Sequence, residues 1–188
     1  MSGRPYRNSI WFAATLLCAS WLHASEHSLS ALTNFRAYSE RLASSGQPAA
    51  EHLTLLRDAG FERIVYLAYT DSQGALANED QLAEQLGMEY AQVPVNWDAP
   101  LKRDFYTFAA ILNQAPELRT LVHCQVNFRA STFSFLYRVL HRDVPLDIAK
   151  RDLESVWVPN ETWQALIFEV LGENGVDPDC DACIWAHQ

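Results

Sequence analysis

Residues 121–132, "LVHCQVNFRAST", change periodicity in their middle. A short apolar run ends at Cys124, and from Ala130 the residues Phe133, Leu136, Val139 and Leu140 recur at helical spacing. Strand, tight loop and helix therefore follow one another, with Cys124 and Arg129 bracketing the loop. The first N–H groups of a helix have no intrahelical acceptor, and the helix dipole is positive at that end. A cysteine held there is favoured as thiolate. The same N–H groups, with a forked guanidinium beside them, suit a tetrahedral oxyanion. Taken alone, the pair is read equally well as a buried inert cysteine and a surface arginine.

The neighbouring segments alternate. "YSERLASSGQP" (38–48) reads as a short strand ending in a turn, and "AAEHLTLLRDAG" (49–60) as a helix stopped by Gly60. "RIVYLAY" (63–69) is a buried strand, and "NEDQLAEQLG" (78–87) a helix with Asn78 as N-cap and Gly87 as stop. "YAQVPV" (90–95) is a strand, "LKRDFYTFAAILNQA" (101–115) a helix, and "RTLVHC" (119–124) the strand that enters the loop. Two more helices are expected around Ile148 to Val156 and Glu161 to Leu171. Such alternation predicts an α/β fold, a mainly parallel central sheet with helices on both faces. Ligands in these sheets bind beyond the carboxyl ends of the strands. Gly46-Gln47-Pro48, Asn96-Trp97-Asp98 and Cys124 each follow a predicted strand, so the pattern gathers them at one edge.

The chain has 188 residues, 49% of them apolar, which is enough for one globular domain. Arg4 and Arg7 precede "SIWFAATLLCASWL", too short to span a bilayer comfortably, and Leu22-His23-Ala24 offers a small-residue cleavage site. Residues 1–24 are read as a signal peptide, residues 31–172 as the α/β domain and 173–188 as a C-terminal tail. Export to the periplasm or medium, with no stable membrane insertion after cleavage, is the expectation. Cleavage lowers Lys+Arg from 14 to 12 and leaves Asp+Glu at 23, net −11. A chain so acidic argues against nucleic-acid partners. In an oxidising compartment, Cys180-x2-Cys183 is read as a local disulfide rather than a metal site, since only His187 stands ready as a third ligand. Trp157, Trp163 and Trp185 are expected to pack the C-terminal helices, or, in the other reading, to wall a substrate site.

"HCQVNFRAS" resembles the loop of protein tyrosine and dual-specificity phosphatases. The order of "GQP", "GMEYAQVPV", "NWDAP" and "VHCQVNFRAS" is similar to a bacterial branch related to the phosphatase-like domain of beta-lactamase-hydrolase-like proteins. The resemblance covers about Thr33 to Leu140 and implies a cysteine-phosphatase-like fold. It implies Cys124 as nucleophile, Arg129 as phosphoryl ligand, His123 as the residue orienting the loop and helping to hold the cysteine as thiolate, and Ser131 as hydrogen-bond partner of the departing sulfur. Asp98, 26 residues before Cys124, stands in the general-acid loop. Its other reading is a helix N-cap before Pro100, and Asp104 is the fallback acid. The backbone of Gln125, Val126, Asn127 and Phe128, with Gln47 at the same edge, would bind substrate: a phosphorylated protein or small molecule. Neither cofactor nor metal is implied.

The loop departs from the family's pattern. Only four residues separate Cys124 from Arg129, where the family has five, and none is glycine. Asn127 is the residue that tolerates a left-handed bend most cheaply, so the bend is assigned to it. Two other functions share the loop's length or charge. Rhodanese-like sulfurtransferases use a Cys-x4-Arg loop, and a silent anion-binding module would keep Arg129 without using Cys124.

Overall fold

Three strands of this chain are buried along their whole length, so their sequences do not alternate apolar with polar, and their polar residues Ser44, Ser45, Arg63, Thr120 and His123 are buried with the rest. A computed structural model describes residues 29–180 and 183–185; the expected signal peptide and His187 lie outside them. The strands are β1 (Arg36–Ala37), β2 (Leu42–Ser45), β3 (Arg63–Tyr66), β4 (Glu89–Gln92) and β5 (Thr120–His123). They form one sheet in the order β1-β2-β5-β3-β4, parallel except for β1 at the edge. The helices are α1 (Ala50–Asp58), α2 (Glu79–Gln85), α3 (Lys102–Gln114), α4 (Phe128–His141), α5 (Leu146–Glu154) and α6 (Glu161–Glu173).

Successive strand residues point to opposite faces, and two cores result. Ile64 and Leu121 pack with Leu53 and Leu56 of α1, whereas Val65 and Val122 pack with α3, α4 and α6 through Phe105, Phe133 and Ile167. The mainly parallel sheet with helices on both faces is thus present. Among the described residues no helix is long and apolar enough to cross a membrane.

Several boundaries differ from expectation, each for a local reason. "YAQVPV" pairs as a strand only over Glu89–Gln92, because Pro94 has no N–H, although Val93 and Val95 still donate to Tyr66 and Leu67. Asn78 does not cap α2 with its side chain. It sits in the left-handed region at φ 55°. Helix α4 begins at Phe128 rather than Ala130. Packed residues also run past 31–172: Leu29 is buried at one end, and Trp185 packs on Phe135 and Phe168 at the other. Cys180 and Cys183 are joined in a disulfide, which takes both sulfurs from the metal-binding reading.

Candidate active site

β5 is central, and its register sets Ser45, Tyr66 and His123 level across the sheet. The residues leaving β2 and β5 therefore meet at the carboxyl edge. Cys124 donates its N–H to Ser45 (3.3 Å), and its free thiol is 1% exposed. Gly46 pairs with Val126, and Gln47 donates its N–H to the Gln125 carbonyl (3.1 Å). A Cβ on Gly46 would stand 2.8 Å from Thr33 Cβ and 2.9 Å from the Gln125 oxygen, so glycine is required by close approach. Asn127 makes the bend assigned to it, at φ 75° and ψ −2°. Its buried side chain donates to Asn34 O, and Asn34 returns a bond to Val126 O (3.0 Å). The four-residue loop is thus held from both sides.

Among the described residues, the N–H groups of Gln125, Val126, Phe128 and Arg129 have no acceptor. Arg129 follows them in the first turn of α4. It is 7% exposed, its Nε has no hydrogen-bond partner, and none of the described carboxylates pairs with it. Its guanidinium lies 5.5 Å from the centroid of the Trp97 ring. A buried cation left unpaired is costly, and an anion among those N–H groups would relieve the cost. In a chain of net charge −9, this is a locally positive pocket.

The other predicted residues have distinct settings. Asp98 is exposed, and its carboxylate makes no hydrogen bond or ion pair among the described residues. The Asn96 side chain accepts from the N–H groups of Asp98 and Ala99 and shapes this loop. Helix α3 starts only at Lys102, so Asp98 is not its N-cap. Asp104 lies within that helix, 3.7 Å from Arg103. The Ser131 hydroxyl donates to Phe128 O (3.1 Å) and so closes the helix start. Gln125 reaches outward to Gln73 O (3.2 Å), and the Val126 side chain is exposed. The Gln47 amide donates to both Glu79 carboxylate oxygens at 3.2 Å, so its side chain supports the loop's surroundings.

Glu79 is a residue that sequence reasoning missed. It is 3% exposed at the start of α2, with Oε1 3.2 Å from Nε2 of fully buried His123. His123 stacks on Tyr66, ring centroids 4.7 Å apart. The distance suggests an ion pair, yet neither ring nitrogen has a well-aligned hydrogen bond. Burial pushes the Glu79 carboxyl up to about 7 and the His123 imidazole down to about 3. The uncharged pair is the reading we adopt, because both groups are desolvated and a separated charge pair would cost more there. A neutral His123 positions the loop without lending it charge. Three acids within "NEDQLAE" gave no signal as to which one turned inward.

The C-terminal helices also reach the site. Phe128 stacks on Trp157 at 4.7 Å and 8°, while Trp97 packs on Trp157 (5.4 Å) and on buried Trp163 (5.3 Å). Trp163 donates its indole N–H to the Trp97 carbonyl (3.1 Å). Trp157 and Trp163 thus pack the C-terminal helices, as expected, and also brace the Asp98 loop against Arg129.

Solved structures with this architecture carry phosphatase names. A DUF442 protein of Shewanella putrefaciens CN-32, described as a candidate phosphatase, matches with a TM-score of 0.72 at 30% identity, over 79% of this chain and 97% of its own. Tk-PTP in its active form matches at 0.64 and 18% identity, over 73% and 95% of the two chains. The core catalytic domain of the PP-IP phosphatase SIW14 of S. cerevisiae, in complex with citrate, matches at 0.59 and 15%, over 76% and 93%. No protein-family model and no curated protein matches the chain. Fold and cysteine loop together define the class of cysteine-based protein tyrosine/dual-specificity phosphatase-like proteins. Within it, the chain belongs to the DUF442 phosphatase-like family.

Proposed function

We propose that the protein is an exported phosphatase that hydrolyses phosphate monoesters through a cysteinyl-phosphate. The observation that carries this reading is Arg129: a buried guanidinium without a carboxylate partner, on the loop that also holds the free thiol of Cys124. Phosphoryl oxygens take the N–H groups of Gln125 to Arg129 and the guanidinium. The Cys124 thiolate attacks phosphorus as the ester P–O bond breaks, and Asp98, as the acid, gives its proton to the leaving oxygen. Water then attacks the cysteinyl-phosphate, Asp98 takes a proton from it, and the S–P bond breaks to return the thiolate. To reach the departing sulfur, the Ser131 hydroxyl must turn away from Phe128 O. The substrate is a phosphorylated protein or small molecule.

Turnover of phenyl phosphate and p-nitrophenyl phosphate under reducing conditions tests this. Cys124→Ser abolishes both activities. Asp98→Asn lowers kcat by about 10²-fold or more for phenyl phosphate and less for p-nitrophenyl phosphate, whose leaving group needs less help from a proton. Turnover indifferent to Cys124, or sulfur transfer from thiosulfate to cyanide in its place, overturns the reading. Export is checked by the mass of the protein recovered from its native host: a chain starting at Ser25 supports it, and an intact Met1 refutes it.

A further inference from the structure

A second positive cavity lies at the far end of the sheet. Leu42 and Thr120, the first residues of β2 and β5, line it, whereas Cys124 follows the last residue of β5. Its volume is about 530 Å³, within the range of small-molecule sites. Three arginines line it, Arg41, Arg138 and Arg142, and no carboxylate does. That is unexpected in a chain with 23 acidic and 14 basic side chains.

Arg138 is built into the site, whereas Arg41 and Arg142 are exposed at its mouth. Arg138 is 7% exposed. One of its terminal nitrogens pairs with Asp152 (2.8 Å), and the other is buried without any hydrogen-bond partner. Its guanidinium lies 4.7 Å from the Tyr38 ring centroid, and that of Arg142 lies 5.0 Å from the Tyr137 ring, whose hydroxyl it also bonds (2.6 Å). Two guanidiniums are therefore held in place by the cavity's own tyrosines, which lowers the cost of ordering them around a ligand. Arg41 is exposed, and its guanidinium has no partner among the described residues. Asp152, which pairs with Arg138 and with Arg36, is not part of the cavity lining, and the free charge facing the cavity is that of Arg41 and Arg142. The C-terminus of α4 adds a partial negative charge nearby, which the guanidiniums of Arg41 and Arg142 outweigh.

The remaining wall is apolar, with Leu112, Leu118 and Val144 joining Leu42. Inorganic phosphate would leave that surface wet. We propose that the cavity binds an organic anion with an apolar body, an aryl carboxylate in particular, its ring against the leucines and its carboxylate on the arginines. The site is distinct from the cysteine loop and does not depend on the reaction proposed there.

Calorimetric titration of the purified protein with 2-naphthoate tests it. One saturable site with a Kd below about 1 mM is expected, and 2-naphthalenemethanol, which has the ring without the charge, binds at least about tenfold more weakly. An Arg41→Gln, Arg142→Gln double variant also weakens 2-naphthoate at least about tenfold. Arg41→Gln alone changes an exposed side chain and weakens it in the same direction. Arg129→Met leaves it unchanged. No saturable binding, equal binding of the neutral alcohol, indifference to the arginine variants, or loss in Arg129→Met each overturns the proposal.

Discussion

Glu79→Gln should change the pH dependence of stability in a way that isolates the buried pair beneath the cysteine loop. Burial raises the Glu79 carboxyl from 4.5 to about 7, so its contribution to stability is present at low pH and lost as pH rises through that window. Burial lowers His123 from 6.5 to about 3, so its cost is felt at low pH and relieved as pH rises through 6.5. Between pH 4.5 and 6.5 the unfolded pair holds one proton, on histidine, and the folded pair also holds one, on glutamate. The two slopes cancel. Replacing Glu79 by glutamine leaves the His123 slope alone, roughly 1.4 kcal/mol per pH unit. Across the window the variant should gain about 3 kcal/mol relative to the wild-type curve. Urea denaturation of both proteins at pH 4.5, 5.5 and 6.5 measures this directly. Parallel stability curves would show that His123 keeps its proton in the folded variant and would refute an imidazole lowered by burial.

Three further outcomes concern the loop. Asn127→Gly keeps the left-handed bend but loses the buried bond to Asn34 O and should cost about 1–2 kcal/mol, whereas Asn127→Ala should lose about 1–2 kcal/mol more from the left-handed backbone, measured by denaturant midpoint. Gly46→Ala drives a methyl group against Thr33 and the Gln125 carbonyl, and should cost about 1–3 kcal/mol with a parallel fall in kcat/KM. Its control is Gly172→Ala, where a Cβ meets nothing within 4 Å inside α6, and a gain of about 0.5–1 kcal/mol is expected. Trp163→Ala removes a fully buried indole and should cost about 3–5 kcal/mol by the same assay.

The loop was legible because its chemistry is local. A strand pattern that breaks at Cys124, a helical pattern from Ala130 and one asparagine able to bend between them determine most of its path without reference to distant residues. The same locality explains Gly46, which follows a strand and meets the loop directly. Glu79 was not legible, because burial of one acid among several depends on which face of a short helix the sheet covers. Trp157 and Trp163 lie beyond the stretch with recognisable motif order, and nothing in their spacing shows that they reach back 60 residues or more to Trp97. Asn78 misled for a different reason. A residue suited to capping is also suited to the left-handed conformation, and here the backbone uses the second property.

The contact between Arg129 and Trp97 gives the site an optical readout of its own. Trp97, Trp157 and Trp163 lie with ring centroids 5.3–6.1 Å apart, close enough to share excitation energy, and the guanidinium faces the first of them. An anion that draws Arg129 toward the cysteine loop alters the field at that indole, so its emission should shift on titration with vanadate or phosphate. Unlabelled protein can then report occupancy of the loop, even in Cys124→Ser, where no turnover remains to be measured.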